Sequence, residues 1–128
     1  MDDANVPSLL SIPYLEYKGI EDEVYQNTRK FILSKNNRFF FEGKAAKGIG
    51  SPHTPKNYIR HIALSMQGLT GTKEEAKKMI NLILETSNNE GLCHEGFNKD
   101  EPSEYTRFWF AWANSLFAEL VYQTYFVK

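Results

Sequence analysis

The sequence predicts an all-α fold, and three observations carry that prediction. Stretches 21–34, 57–67 and 72–86 place apolar residues at helical spacing. A fourth stretch, about 103–125, is apolar nearly all round in its first half, as expected of a helix buried on several sides. Between them lie glycine-rich loops, and nothing reads convincingly as a sheet.

Taken in order, the chain opens with a polar tip in which Asp2, Asp3 and Asn5 are candidate helix caps. Pro7 can open a brief helix through Leu9, Leu10 and Ile12, which Pro13 stops. In the stretch 21–34, Val24, Tyr25, Thr28, Phe31 and Ile32 share a face, with Asp22 and Glu23 at the favourable N-terminal end. Residues 38–50 read as a short extended aromatic piece (Phe39, Phe40, Phe41) and then a loop. Gly48 and Gly50 would let the backbone approach a ligand closely. The next helix takes Asn57 as N-cap and Gly68 as its stop, with Ile59, Ile62, Ala63 and Met66 facing inward. Thr72-Lys-Glu-Glu75 is a capping box that opens a helix burying Ala76, Met79, Ile80, Ile83 and Leu84.

Composition narrows the function. The chain has 128 residues, 24% charged and 41% hydrophobic, with a net charge of −1. That is enough for one core and too little for two. Binding nucleic acid needs clustered cations, which a near-neutral chain does not offer. Cys93 is the single cysteine, so no internal disulfide can form. No apolar run reaches membrane-spanning length and no signal peptide is visible, so no membrane partner and a cytoplasmic location are expected.

The chemistry concentrates in residues 91–117. Glu95 sits in a turn between Gly91 and Gly96, beside Leu92, Cys93 and Phe97. A carboxylate in such partly apolar surroundings suits acid/base work, although most glutamates are simply solvated. The aromatics Tyr105, Phe108, Trp109, Phe110 and Trp112 could stack on sugar faces or could be plain core. His94 follows Cys93 directly, so the pair fits neither a shared metal nor a nucleophile–base arrangement, and no metal-ligand spacing occurs. In the loop 48–54, His53 offers a donor/acceptor pair.

Three blocks in order resemble a known family. HEGF, the Asp100-x-Pro102 turn and YTRFWFAWANSLFAEL resemble the C-terminal signature of glycoside hydrolase family 125. GIGSPHT with ALSMQGLT, and MDDANVPSLLSIPYL, resemble two earlier stretches of it. The resemblance implies a metal-independent, inverting exo-α-mannosidase of α-1,6 linkages, without cofactor, acting on mannose-containing oligosaccharides. It implies an (α/α)6 toroid of helical hairpins, with residues 1–128 as the C-terminal part of one catalytic domain. Glu95 then takes the place of the general base. Asp3, Asn5, Ser51 and His53 take places in the mannose subsite, and His94 and Arg107 either touch sugar or orient Glu95. The general acid would lie upstream of the region corresponding to Met1. Alone, the chain is then expected to be inactive and to self-associate through exposed Trp109, Trp112 and Phe117. Arg60-His61 stands where the family usually has Trp-Pro, Glu16 where it has Gly, Arg38 where it has Pro, and Ala46 where it has an aromatic. A helical module that binds sugar or protein without catalysis is the alternative left open.

Overall fold

The structure is a computed structural model that describes residues 2–3 and 8–127. Among these, a 3-10 turn at Leu9–Ser11 precedes α1 (Glu23–Ile32) and a hairpin of β1 (Phe40–Glu42) and β2 (Lys47–Ile49). Then come β3 (Tyr58–Ile59), α2 (His61–Leu69), α3 (Lys73–Thr86), β4 (Gly96–Asn98), β5 (Tyr105–Thr106) and α4 (Ala111–Tyr125). The all-α expectation is corrected, and with it the uninterrupted run of helical hairpins. Five strands form two antiparallel sheets, β1–β2 and β3–β4–β5.

β1 falls on the extended aromatic piece expected there, and the other strands were missed for a simple cause. Each is two or three residues long, too short to display the alternation that marks a strand in sequence. Their residue types nevertheless suit a ladder. Ile59 pairs with Phe97, and Phe97 in turn with Tyr105, so aromatic and β-branched side chains line up across three strands. These strands shorten two helices. α2 starts at His61 rather than 57 because Asn57 adopts φ 71°, and β3 intervenes. Arg60, not Asn57, is its N-cap, and Gly68 lies inside the helix. α4 starts at Ala111 rather than about 103, since Arg107 has φ 49° and Phe110 is extended.

Helix polarity follows the sequence more closely. The Asp22 side chain accepts the Tyr25 N–H, and Thr72 accepts the Glu75 N–H, capping α1 and α3. Asp2 accepts the Leu9 N–H at the 3-10 turn. The inward faces are narrower than expected: Val24, Phe31 and Leu84 are exposed, as is Trp112 on α4. α4 buries only the stripe Ala113, Leu120 and Thr124, while Phe117 packs partly against the core. α2 packs against both α3 and α4, and its residues are buried almost all round.

A buried cation ties α1 to this pair. The Arg29 guanidinium donates to Thr70 Oγ1 (2.7 Å), the Gln67 carbonyl (3.1 Å) and Glu75 Oε2 (2.7 Å). These three partners lie on α2, α3 or the turn between them, so one side chain fixes α1 on the helical pair.

Gly48 and Gly50 meet protein, not open space. A methyl on Gly48 would stand 2.8 Å from Leu64 and 2.9 Å from Ile59. One on Gly50 would stand 2.2 Å from the Tyr58 carbonyl. These glycines let β2 press onto β3 and α2, which places the following loop. Gly50→Ala is expected to lower unfolding free energy by about 1–3 kcal/mol, as overpacking does. Equilibrium denaturation measures it, and an unchanged midpoint would show that the backbone there has room.

Candidate functional site

β3 and β4 run antiparallel, and the turn leading into β4 brings Glu95 to the open end of the three-stranded sheet. Its backbone is held on both sides. Its N–H donates to the Thr106 carbonyl (3.1 Å), and its own carbonyl accepts from Arg60 Nε (3.2 Å). Its carboxylate, whose side chain is 16% exposed, lies 3.4 Å from Arg107 Nε. The Arg107 side chain is 67% exposed. Its positive φ costs on the order of 1 kcal/mol in an L-residue. That conformation accompanies its reach to Glu95 and to the Phe110 ring, 5.8 Å away.

Glu95, Arg60, Arg107, His53 and the run Trp109, Phe110, Ala111 and Trp112 line one cleft of about 870 Å3. Trp109 is 61% exposed and Trp112 68%, an unusual state for the largest apolar side chains in the chain. The Arg60 guanidinium stands 5.5 Å from the Phe110 ring. Burial lowers its pKa from the ordinary value, while the nearby Glu95 and Asp3 carboxylates pull it back up.

The expected site residues divide into groups. Glu95, His53 and Arg107 meet at the cleft. Ser51 lies behind it, buried, with its hydroxyl donating to Asp3 Oδ2 (3.3 Å) and accepting the His53 N–H (3.2 Å). Asn5 lies outside the described residues. His94 does not line the cleft: it is fully buried, and its ring stacks on Tyr105 at 4.0 Å. Cys93 is buried too, its thiol pushed up to about 12 by desolvation, which leaves it no nucleophile near neutral pH. Arg60 and the two tryptophans join the cleft as residues not singled out for the subsite. The only sequence signal for Arg60 was its departure from the family pattern. Among the described residues, no three His, Cys, Asp or Glu gather as a ligand set for a metal ion.

Beneath the cleft runs a buried chain of hydrogen bonds. His61 Nδ1 accepts the His94 backbone N–H at 2.9 Å. That leaves the proton on Nε2, which donates to Thr86 Oγ1 at 2.9 Å, and Thr86 donates to the Leu82 carbonyl at 2.7 Å. The His94 ring donates from Nδ1 to the Phe108 carbonyl at 2.9 Å. Asn114 of α4 completes the frame, accepting the Cys93 N–H and donating to the Phe110 carbonyl.

His61 has no exposure, and desolvation, with His94 adding to it, pulls its pKa from 6.5 to about 3. The unfolded chain protonates it near pH 6.5, whereas the folded chain keeps it neutral almost to pH 3. Between those values the unfolded state binds more protons, so the stability present above about pH 6.5 is lost as pH falls. Unfolding free energies from denaturant titrations at pH 7, 6 and 5 should therefore fall, with the slope approaching about 1.4 kcal/mol per pH unit. His61→Asn should flatten that slope. Equal slopes in the two proteins would remove His61 as the cause.

Comparison with known proteins matches this geometry to one family. A family model described as metal-independent alpha-mannosidase (GH125) matches residues 1–122. The Meiotically up-regulated gene 157 protein of Schizosaccharomyces pombe (strain 972 / ATCC 24843) is 44% identical over 123 residues. That match covers 94% of this chain and 24% of the yeast protein. Among solved structures, a metal-independent α-mannosidase of Streptococcus pneumoniae superposes with a TM-score of 0.95 at 50% identity. It was captured in a non-productive complex with α-1,6-mannobiose, and the match covers 97% of this chain and 29% of that one. The chain thus spans only 24–29% of the length of these relatives.

Proposed function

We propose, starting from the fact that this chain belongs to the metal-independent α-mannosidases of glycoside hydrolase family 125, that its cleft is one wall of an inverting exo-α-mannosidase site. Glu95 is the general base. Its carboxylate takes a proton from a water as the water oxygen bonds to the anomeric carbon, and the glycosidic C–O bond breaks on the opposite side. A second carboxyl group delivers a proton to the departing sugar oxygen. The observation that carries this reading is a half-buried carboxylate, fixed through both of its backbone groups, at the edge of a cleft walled by two exposed tryptophans. Trp109 and Trp112 offer flat apolar faces to the C–H side of a pyranose, and Arg107 orients the carboxylate from its open side.

An α-1,6-linked mannoside is the substrate this reading favours, given the mannobiose bound in the pneumococcal relative. His53, held by the Ser51 hydroxyl, and Asp3 beyond it form the polar side of the mannose subsite. In an inverting pair the carboxyl groups stand about 6.5–9.5 Å apart with a water between them. None of Asp2, Asp3 and Asp100 corresponds to the family's acid. That second group is therefore assigned to polypeptide beyond this span. The reading of a sugar-binding module draws on the same cleft, which holds tryptophans and one well-placed carboxylate. Turnover separates the two.

Within a catalytic domain that contains this span, Glu95→Gln should lower kcat for α-1,6-mannobiose by about 10²-fold or more while KM changes little. Near-normal kcat would remove Glu95 from its role. The 128-residue chain alone should give no measurable mannose release, and sustained turnover by it would place the acid within these residues.

A further inference from the structure

We propose that His61 is a positioning residue of this site, whose Nδ1 sets the turn carrying Glu95 by accepting the His94 backbone N–H. The inference rests on the assignment of Glu95 as the base.

The turn into β4 has few ways to satisfy its backbone. Cys93 donates to Asn114, and Glu95 donates to the Thr106 carbonyl. The N–H between them, that of His94, points into the core, where residue 94 has no exposure. A buried amide left unpaired there would keep the full penalty of losing its water. His61 Nδ1 meets it at 2.9 Å. Accepting that N–H requires an unprotonated Nδ1, and the proton on Nε2 then serves Thr86, which is tied in turn to the Leu82 carbonyl of α3. The ring is packed as well, 4.7 Å from Phe97 and 5.5 Å from His94 between centroids. One neutral imidazole therefore fastens the residue before Glu95 to the last turn of α3, with no rotational freedom to spend. Its neighbour Arg60 binds the Glu95 carbonyl from the other side. Two successive residues at the start of α2 thus hold two successive residues of the turn.

Two isosteres separate positioning from bulk packing. In His61→Asn the amide oxygen replaces Nδ1 and the link to Thr86 is lost. In His61→Gln the amide nitrogen replaces Nε2 and the acceptor for His94 is lost. On the 13C,15N-labelled 128-residue chain, His61→Asn should keep slow exchange of the His94 amide and leave the Glu95 carboxyl 13C resonance near its wild-type position. His61→Gln should speed that exchange by about tenfold or more and displace the Glu95 resonance. Equal Glu95 resonances in the two variants would overturn the proposal and leave His61 a packing residue. The wild-type ring spectrum decides the matter even if a variant does not fold. Protonated Nε2 with a bare, hydrogen-bonded Nδ1 at pH 6 is the expected signature, and the opposite tautomer overturns it. Failure of the base assignment looks different: the ring and amide signatures persist while Glu95→Gln leaves turnover unchanged.

Discussion

A backbone N–H that turns into a dry core must find an acceptor, and in this protein the His94 amide finds His61 Nδ1. Much of the site depends on that one requirement. It fixes the tautomer of His61, commits Thr86 to the other ring nitrogen, and thereby joins α2, α3 and the turn into β4. Glu95 follows immediately, with its own N–H and carbonyl already engaged. A side chain that would ordinarily wave in a glycine-flanked loop instead starts from a backbone with little freedom, which is what a proton-transfer group needs.

The second constraint is close packing around β2. Gly48 and Gly50 read in sequence as an invitation to a ligand. In the fold they are the points where strand, sheet and helix come too near for a Cβ. Their effect on the site is indirect, since they settle the loop from which Ser51 steers His53 toward the cleft. Arg29 does comparable work at the other end, where charge-assisted bonds hold α1 on the α2–α3 pair.

How much of this was legible depended on length and on the range of the interaction. The capping residues Asp22 and Thr72 stood where local chemistry put them, because a cap involves residues three apart. α3 was read almost whole, with Leu84 its one misplaced inward residue. β1 falls on the extended aromatic piece, but the three-stranded sheet was invisible because Tyr58-Ile59 and Tyr105-Thr106 declare themselves only when β4 lies between them. Reading on through Asn57 and Arg107 made two helices too long, since nothing local shows that either residue turns left-handed. Glu95 and His53 stand out from their glycine-rich turns, while their roles and Arg107 come from the family-like blocks; the three share a cleft. The roles of His61 and Arg60 could not be read, since each acts on residues more than thirty positions away.

The cleft holds one largely buried carboxylate, that of Glu95, beside two exposed indoles. In the proposed function it is one wall of a site whose facing side comes from elsewhere in relatives three to four times this length. The most direct test of that view is to titrate α-1,6-mannobiose into the 15N-labelled chain and follow the shifts. The account expects the Trp109 and Trp112 indole signals and the amides of Glu95 and Arg107 to move together and saturate. Movement confined to a different open cavity, such as that around Gly71, Thr72 and Gln123 between α3 and the end of α4, would contradict it. So would a spectrum that does not change.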